Sequence, residues 1–134
     1  MKITQVAGIG FSVVMLGVVG FQLALAAGAP WGAYAMGGAF PGQFPSTMRV
    51  AALVQAVILL LFAGVVLARA GVAVRRWSRA SRWLIWLVVA FSTLSLVLNL
   101  ITPSAGERAV WAPVALVLLV CSLLVAVGKP AGEQ

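Results

Sequence analysis

The sequence predicts an all-α polytopic membrane protein, a bundle of four transmembrane helices. Of its 134 residues, 63% are hydrophobic and only 8% are charged, whereas soluble domains carry about 25% charged residues. Four apolar runs of about 18–22 residues match the length that crosses a hydrocarbon core as an α-helix. Helices are expected because lipid offers no partners to backbone polar groups. Residues 1–134 therefore form one membrane domain in this interpretation.

The four spans are expected at about residues 6–27, 48–70, 83–101 and 110–127. In the first span, Lys2 and the sequence LALAAGA are also typical of a signal peptide. The apolar run of this span is, however, longer than the apolar region of a signal peptide, which is usually about 7–15 residues. Small residues recur on one face of this span, which is typical of closely packed membrane helices: they are Gly10, Gly17, Gly20, Ala24 and Ala27. We expect a retained span that makes close helix contacts within or between chains.

The connection between the first two spans, residues 28–47, contains three prolines and five glycines and no charge. Such a composition argues against a continuous helix. We expect an interfacial loop whose aromatic residues lie at headgroup level, with a re-entrant lid over a pocket as the alternative. The spacing of Ser104 and Glu107 predicts a helix start before the fourth span, with Pro113 inside that helix or at a restart.

The net charge of +7 is distributed unequally between the two predicted sides of the membrane. Arg49 and Arg108 fall on one side, and seven basic residues fall on the other: Lys2, Arg69, Arg75, Arg76, Arg79, Arg82 and Lys129. The positive-inside tendency places both termini in the cytoplasm. Binding of anionic lipid is a second interpretation of the five arginines from Arg69 to Arg82. Charges that flank membrane spans do not indicate nucleic-acid binding.

The few polar side chains within the spans give the candidate site. Ser92, Ser95, Asn99 and Thr102 form one stripe on the third span, and Gln22 and Gln55 fall at a similar depth near the outer ends of their spans. Amides that face lipid are costly, so they are expected to face each other or a watery cavity. Hydrogen bonding between helices and a binding pocket both explain them. The candidate binding residues are Gln22, Arg49, Gln55, Ser95, Asn99, Glu107 and Arg108.

The composition excludes several chemistries. With no histidine and only Cys121, the chain lacks a catalytic triad and a thiol pair, and we expect no metal site and no cofactor. Glu107 is the only carboxylate side chain outside the tail, so it is expected to cap a helix or pair with Arg49 rather than catalyse. Ion-coupled transporters usually carry an intramembrane acid, and this chain has none. We assign no catalytic residues.

The stretches APWGAYAMGG, FPGQFPSTMRVAA and GERAVWAPVALVL resemble those of small four-span integral membrane proteins of high-GC bacteria. This resemblance covers roughly the whole chain and implies four spans in the bacterial inner membrane. It implies no activity and no site residues.

From these observations we expect a non-enzymatic binding or accessory subunit. Its ligand would be a lipid-like small molecule, or a partner helix, in the outer leaflet. The first alternative is a channel or transporter subunit whose pore forms on oligomerisation, and the second is a lipid-modifying enzyme. The bilayer itself, a homo-oligomer and a partner membrane protein are the expected partners.

Overall fold

The fold is all-α. The computed structural model describes residues 2–129, which contain four long helices and no strand. These are α1 (Ile3–Ala27), α2 (Ser46–Ala70), α3 (Ser78–Ile101) and α4 (Ala105–Val127). Each is long and apolar enough to cross a membrane. The chain is thus a multi-pass integral membrane protein with a four-helix bundle.

The helices end at the residues expected from the sequence but begin two to five residues earlier. Left-handed Gly28 and Gly71 terminate α1 and α2, as expected of residues without a Cβ. The early starts arise because helical hydrogen bonding extends into polar residues, whereas the expected starts followed hydrophobicity. Consequently Arg79 and Arg82 belong to α3. Pro113 lies inside α4, which is continuous from Ala105 to Val127.

Successive helices are antiparallel neighbours, and α1 also packs against α4. We call the end that carries residues 28–45 the outer end, and the end that carries residues 71–77 the inner end. The main core lies mostly in the inner half, and its largest fully buried side chains include Phe11, Met15, Val66, Ile85 and Val125. A smaller cluster of Leu25, Phe44 and Ala52 lies near the outer end.

Glycines permit close contacts in the inner half. A Cβ placed on Gly8 would lie 2.8 Å from the Cβ of Ala70, and one placed on Gly64 would lie 2.5 Å from the ring of Trp77. The small-residue face predicted on α1 behaves differently, since a Cβ at Gly17 or Gly20 would meet nothing within 4 Å. Thus α1 approaches α2 through Gly8, and Gly17 and Gly20 face outward.

Arg69 differs from the other arginines of the inner end. It is only 5% exposed, and its Nη2 donates hydrogen bonds to the carbonyl oxygens of Ala126 and Gly128, each at 2.9 Å. These carbonyls lie at the carboxyl end of α4, where backbone acceptors lack helical partners and a cation is favourable. The Arg69 side chain is therefore held inside the protein. Arg69 joins α2 to α4, whereas Arg75, Arg76, Arg79 and Arg82 are exposed.

Candidate functional site

A cavity of about 730 Å³ occupies the outer half of the bundle. All four helices and the 28–45 loop contribute to its walls. We call it the outer cavity. It contains five of the seven candidate binding residues, namely Gln22, Gln55, Ser95, Asn99 and Glu107.

Apolar side chains form the floor of the outer cavity. Met15, Leu59 and Leu118 line it from α1, α2 and α4. Beside them, the rings of Phe62 and Phe91 meet edge to face, with centroids 5.0 Å apart, and join α2 to α3. Phe91 is ten residues before the end of α3, or about 15 Å along the axis. The floor therefore lies near the middle of a hydrocarbon core about 30 Å thick.

Above the Phe62–Phe91 contact, α2 and α3 separate. On α3, Leu94 and Leu98 continue the face of Phe91 at helical spacing, and both line the outer cavity although each is more than half exposed. Ala51 on α2 and Ile101 on α3 are also exposed lining residues. Exposed lining residues on two facing helices indicate an opening between those helices. The outer cavity thus opens sideways between α2 and α3.

The polar wall consists of side chains that do not bond across helices. Asn99 donates through Nδ2 to the carbonyl oxygen of Ser95 at 2.7 Å and to its Oγ at 3.3 Å, within α3. The side chains of Gln22 and Gln55 form no hydrogen bond with another residue of the described range 2–129. Among residues 2–129 these amides form no hydrogen bonds between helices, and all three residues line the outer cavity.

The 28–45 loop covers the outer end of the cavity, and we call it the lid. Three hydrogen bonds hold it to α4 and its cap. Trp111 Nε1 donates to the Tyr34 carbonyl at 2.8 Å, and Ser104 Oγ donates to the Ala33 carbonyl at 2.7 Å. The Gly37 N–H donates to Glu107 Oε2 at 3.0 Å. Residues 34–37 of the lid line the outer cavity directly. The loop therefore lies over the outer cavity, and its re-entrant position in the membrane stays a prediction.

Aromatic stacking adds to the attachment of the lid. Phe21 of α1 lies between Trp31 of the lid and Trp111 of α4, with centroid distances of 6.2 Å and 4.6 Å. The Tyr34 ring covers Gly106, where a Cβ would approach that ring to 2.7 Å. A glycine is therefore required at the start of α4 for the lid to close on it.

Glu107 is a capping and lid-binding residue. Its backbone N–H donates to Ser104 Oγ at 3.1 Å, which is one half of the expected capping box. The second hydrogen bond of a capping box, from the Ser104 N–H to the Glu107 carboxylate, is not formed, because this carboxylate accepts the Gly37 N–H instead. The carboxylate is largely buried at the amino end of α4, where the helix dipole favours negative charge.

Arg49 and Arg108, the other two candidate binding residues, do not line the outer cavity. Arg49 Nε donates to the Ala26 carbonyl at 2.8 Å, and Arg108 Nη1 donates to the Thr102 carbonyl at 2.9 Å. These acceptors lie at the carboxyl ends of α1 and α3. Arg49 is therefore a helix cap and not an ion-pair partner of Glu107.

Several lining residues were not among the seven candidate binding residues chosen from the sequence. They are the lid residues Tyr34, Met36, Gly37 and Phe44, the polar Ser92 and Thr102, the apolar Met15 and Phe91, and Trp111. Ser92 and Thr102 belong to the predicted polar stripe, which was the available signal for them. Apolar lining residues carry no such signal, because the same side chains serve equally well in a core or against lipid.

Among residues 2–129, no group of three or more His, Cys, Asp or Glu side chains comes together as a metal site. Comparison of the chain with protein-family models, curated proteins and solved structures gives no match.

Proposed function

We propose that this integral membrane protein binds an amphipathic small molecule, drawn from the outer leaflet, in the outer cavity. We propose further that it acts by binding rather than by catalysis. The observation that carries the proposal is the convergence of Gln22, Gln55 and Asn99 from three helices on one cavity, without hydrogen bonds among them. The Gln22 and Gln55 side chains have no hydrogen-bond partner among residues 2–129, and such amides in a membrane protein favour a polar ligand or water as their partner.

The shape of the outer cavity supports an amphipathic occupant. Its volume falls in the range of about 300–1,000 Å³ that is usual for small-molecule sites. The apolar floor at Met15 and Leu59 suits a hydrocarbon portion, and the amides nearer the lid suit a polar head. The opening between α2 and α3 would admit a ligand from the bilayer, so that its apolar part need not cross water.

The role of Glu107 supports a binding protein over an enzyme. Its carboxylate accepts the Gly37 N–H and lies at a helix terminus, so it stabilises the closed lid.

The close packing of the inner half favours a binding protein over a pore that conducts through a single chain. Below the cavity floor, Phe11, Val66, Ile85, Val88 and Val125 fill the region towards the inner end.

For orientation, we propose that the inner end and both termini lie in the cytoplasm of a bacterial cell. The exposed Arg75, Arg76, Arg79 and Arg82 are at the inner end, which agrees with the positive-inside tendency. This orientation puts the outer cavity in the outer leaflet of the inner membrane.

Native mass spectrometry of the protein released from membranes tests the proposal. We expect a bound small molecule on the wild type and on Thr93→Phe, because Thr93 is exposed on α3 and does not line the cavity. We expect its loss from Ser95→Phe, where the ring would fill cavity space. Leu98→Trp, at the exposed opening, is a second variant that leaves the core intact.

Equal occupancy of all four proteins would contradict the proposal. Ion flux through liposomes that depends on Gln22 or Asn99, without a bound molecule, would instead support a pore.

A further inference from the structure

We infer that the ligand of the outer cavity carries an uncharged, hydroxyl- or amide-type head group, and that anionic lipids such as fatty acids and acidic phospholipids are excluded. The inference rests on the proposed function and names the class of molecule. It follows from the charged side chains at the outer end of the bundle, Arg49, Arg108 and Glu107, and from the hydrogen bonds that each of them already forms within the protein.

No lysine or arginine lines the outer cavity among the residues that the structure describes. The two basic residues of the outer end, Arg49 and Arg108, donate to backbone carbonyls at the ends of α1 and α3. Recognition of a phosphate or carboxylate normally uses such a guanidinium in a bidentate geometry. An anionic head group in the outer cavity would therefore lack a cationic partner.

The one charged side chain in the described cavity wall is Glu107. An anion beside this carboxylate would be repelled, and the repulsion is strong where apolar walls lower the local dielectric constant. Exclusion of anions is thus expected from the charge of the wall as well as from the lack of a partner.

A cationic head group is also disfavoured, because the negative charge of Glu107 is already partly offset. The Gly37 N–H donates to its Oε2, and the amino end of α4 contributes a partial positive charge at the same point. Bringing an ammonium group out of water is costly unless a well-exposed counter-charge awaits it, and Glu107 is only 8% exposed.

Uncharged polar groups fit the remaining wall. Each glutamine amide offers both a donor and an acceptor, and the amides of Gln22 and Gln55 have no other partner in the described chain. Ser92 and Ser95 add hydroxyls on α3. Hydroxyl, ester, ketone and amide head groups all complement such a set. The apolar tail would leave between Leu94 and Leu98 of α3 and Ala51 of α2.

The test uses three amphiphiles with the same oleoyl-type tail and different heads: monooleoylglycerol, oleate and oleylamine. Each is titrated by native mass spectrometry against full-length protein in an uncharged detergent, with Ser95→Phe and Leu98→Trp as cavity-blocked controls. We expect monooleoylglycerol to bind at least about tenfold more tightly than either charged molecule, a difference of about 1.4 kcal/mol. In Glu107→Gln, which keeps an acceptor for Gly37, the preference over oleate should fall towards parity.

The outcomes separate the inference from the proposed function. If oleate or oleylamine equals or exceeds monooleoylglycerol, and both blocked variants lose that binding, the inference is overturned and the proposed function stands. If none of the three binds the wild type more than the blocked variants, the inference and the proposed function both fail. An unchanged preference in Glu107→Gln would overturn the electrostatic role of Glu107.

Discussion

The inner and outer halves of the bundle are built from the same four helices but are packed differently. In the inner half, Gly8 contacts Ala70 and Gly64 contacts Trp77 so closely that neither glycine can accept a Cβ without displacement. In the outer half, α2 and α3 part above Phe62 and Phe91 and leave a cavity of about 730 Å³. Close packing at one end coexists with a large cavity at the other.

This difference indicates a division of roles between the halves. Cavities reduce stability because their walls lose packing contacts, so a hollow outer half needs support from elsewhere. The inner core and the Arg69 hydrogen bonds to α4 supply that support, and the lid closes the cavity from above. Substitutions in the inner half should therefore change stability, and substitutions in the cavity wall should change binding.

The largest expected effect is at the closest helix contact. Gly8→Leu should lower the free energy of unfolding by about 3 kcal/mol, because the new side chain must displace Ala70 and overpack the α1–α2 contact. Thermal unfolding in detergent measures it. Gly17→Leu is the matched control on the same helix, and it should be neutral or stabilising by up to about 1 kcal/mol through helix propensity. Equal losses in the two variants would contradict the packing difference along α1.

A smaller loss is expected at the buried arginine. Arg69→Met should cost about 2 kcal/mol, because the Ala126 and Gly128 carbonyls lose charged donors. Arg79→Met, at an exposed position of α3, should change stability by less than about 0.5 kcal/mol. Chemical unfolding of both variants by the same spectroscopic probe gives the comparison. If Arg69→Met left the free energy of unfolding unchanged, the Ala126 and Gly128 carbonyls would be hydrogen-bonded without Arg69, and the prediction would be wrong.

The smallest effect on stability is expected in the cavity wall. The double variant Gln55→Leu and Asn99→Leu should unfold within about 0.5 kcal/mol of the wild type, since Asn99 bonds only within α3 and Gln55 has no partner among residues 2–129. The same variant should lose the bound molecule seen by native mass spectrometry. Reduced stability with binding retained would mean that these amides hold the helices together.

Part of the site was predictable from the sequence by simple geometry. A rise of 1.5 Å per residue places Gln22, Gln55 and Asn99 in the outer halves of their helices, and the cost of exposing amides to lipid turns them inward. The structure brings all three to one cavity. Whether they would bond to each other depended on the distance between α2 and α3, which no sequence spacing gives.

The arginines illustrate what sequence reasoning missed. Sequence reasoning assigned Arg49, Arg69 and Arg108 by the side of the membrane on which they fall. In the structure each of them donates a hydrogen bond to a backbone carbonyl at the carboxyl end of another helix. Their acceptors are backbone atoms, which every residue carries, so composition does not identify them. Only the relative positions of the helix ends do.

The sequence by itself determined the number of helices, the residues at which they end and the uneven distribution of charge between the two ends. These properties follow from hydrophobicity along the chain and from a fixed helical rise, both of which are local. The tertiary structure decided that Gly8 and not Gly17 is packed, that α2 and α3 separate, and that the lid lies over the amides. These depend on how helices rotate and approach each other, which side-chain shapes from distant parts of the chain settle together.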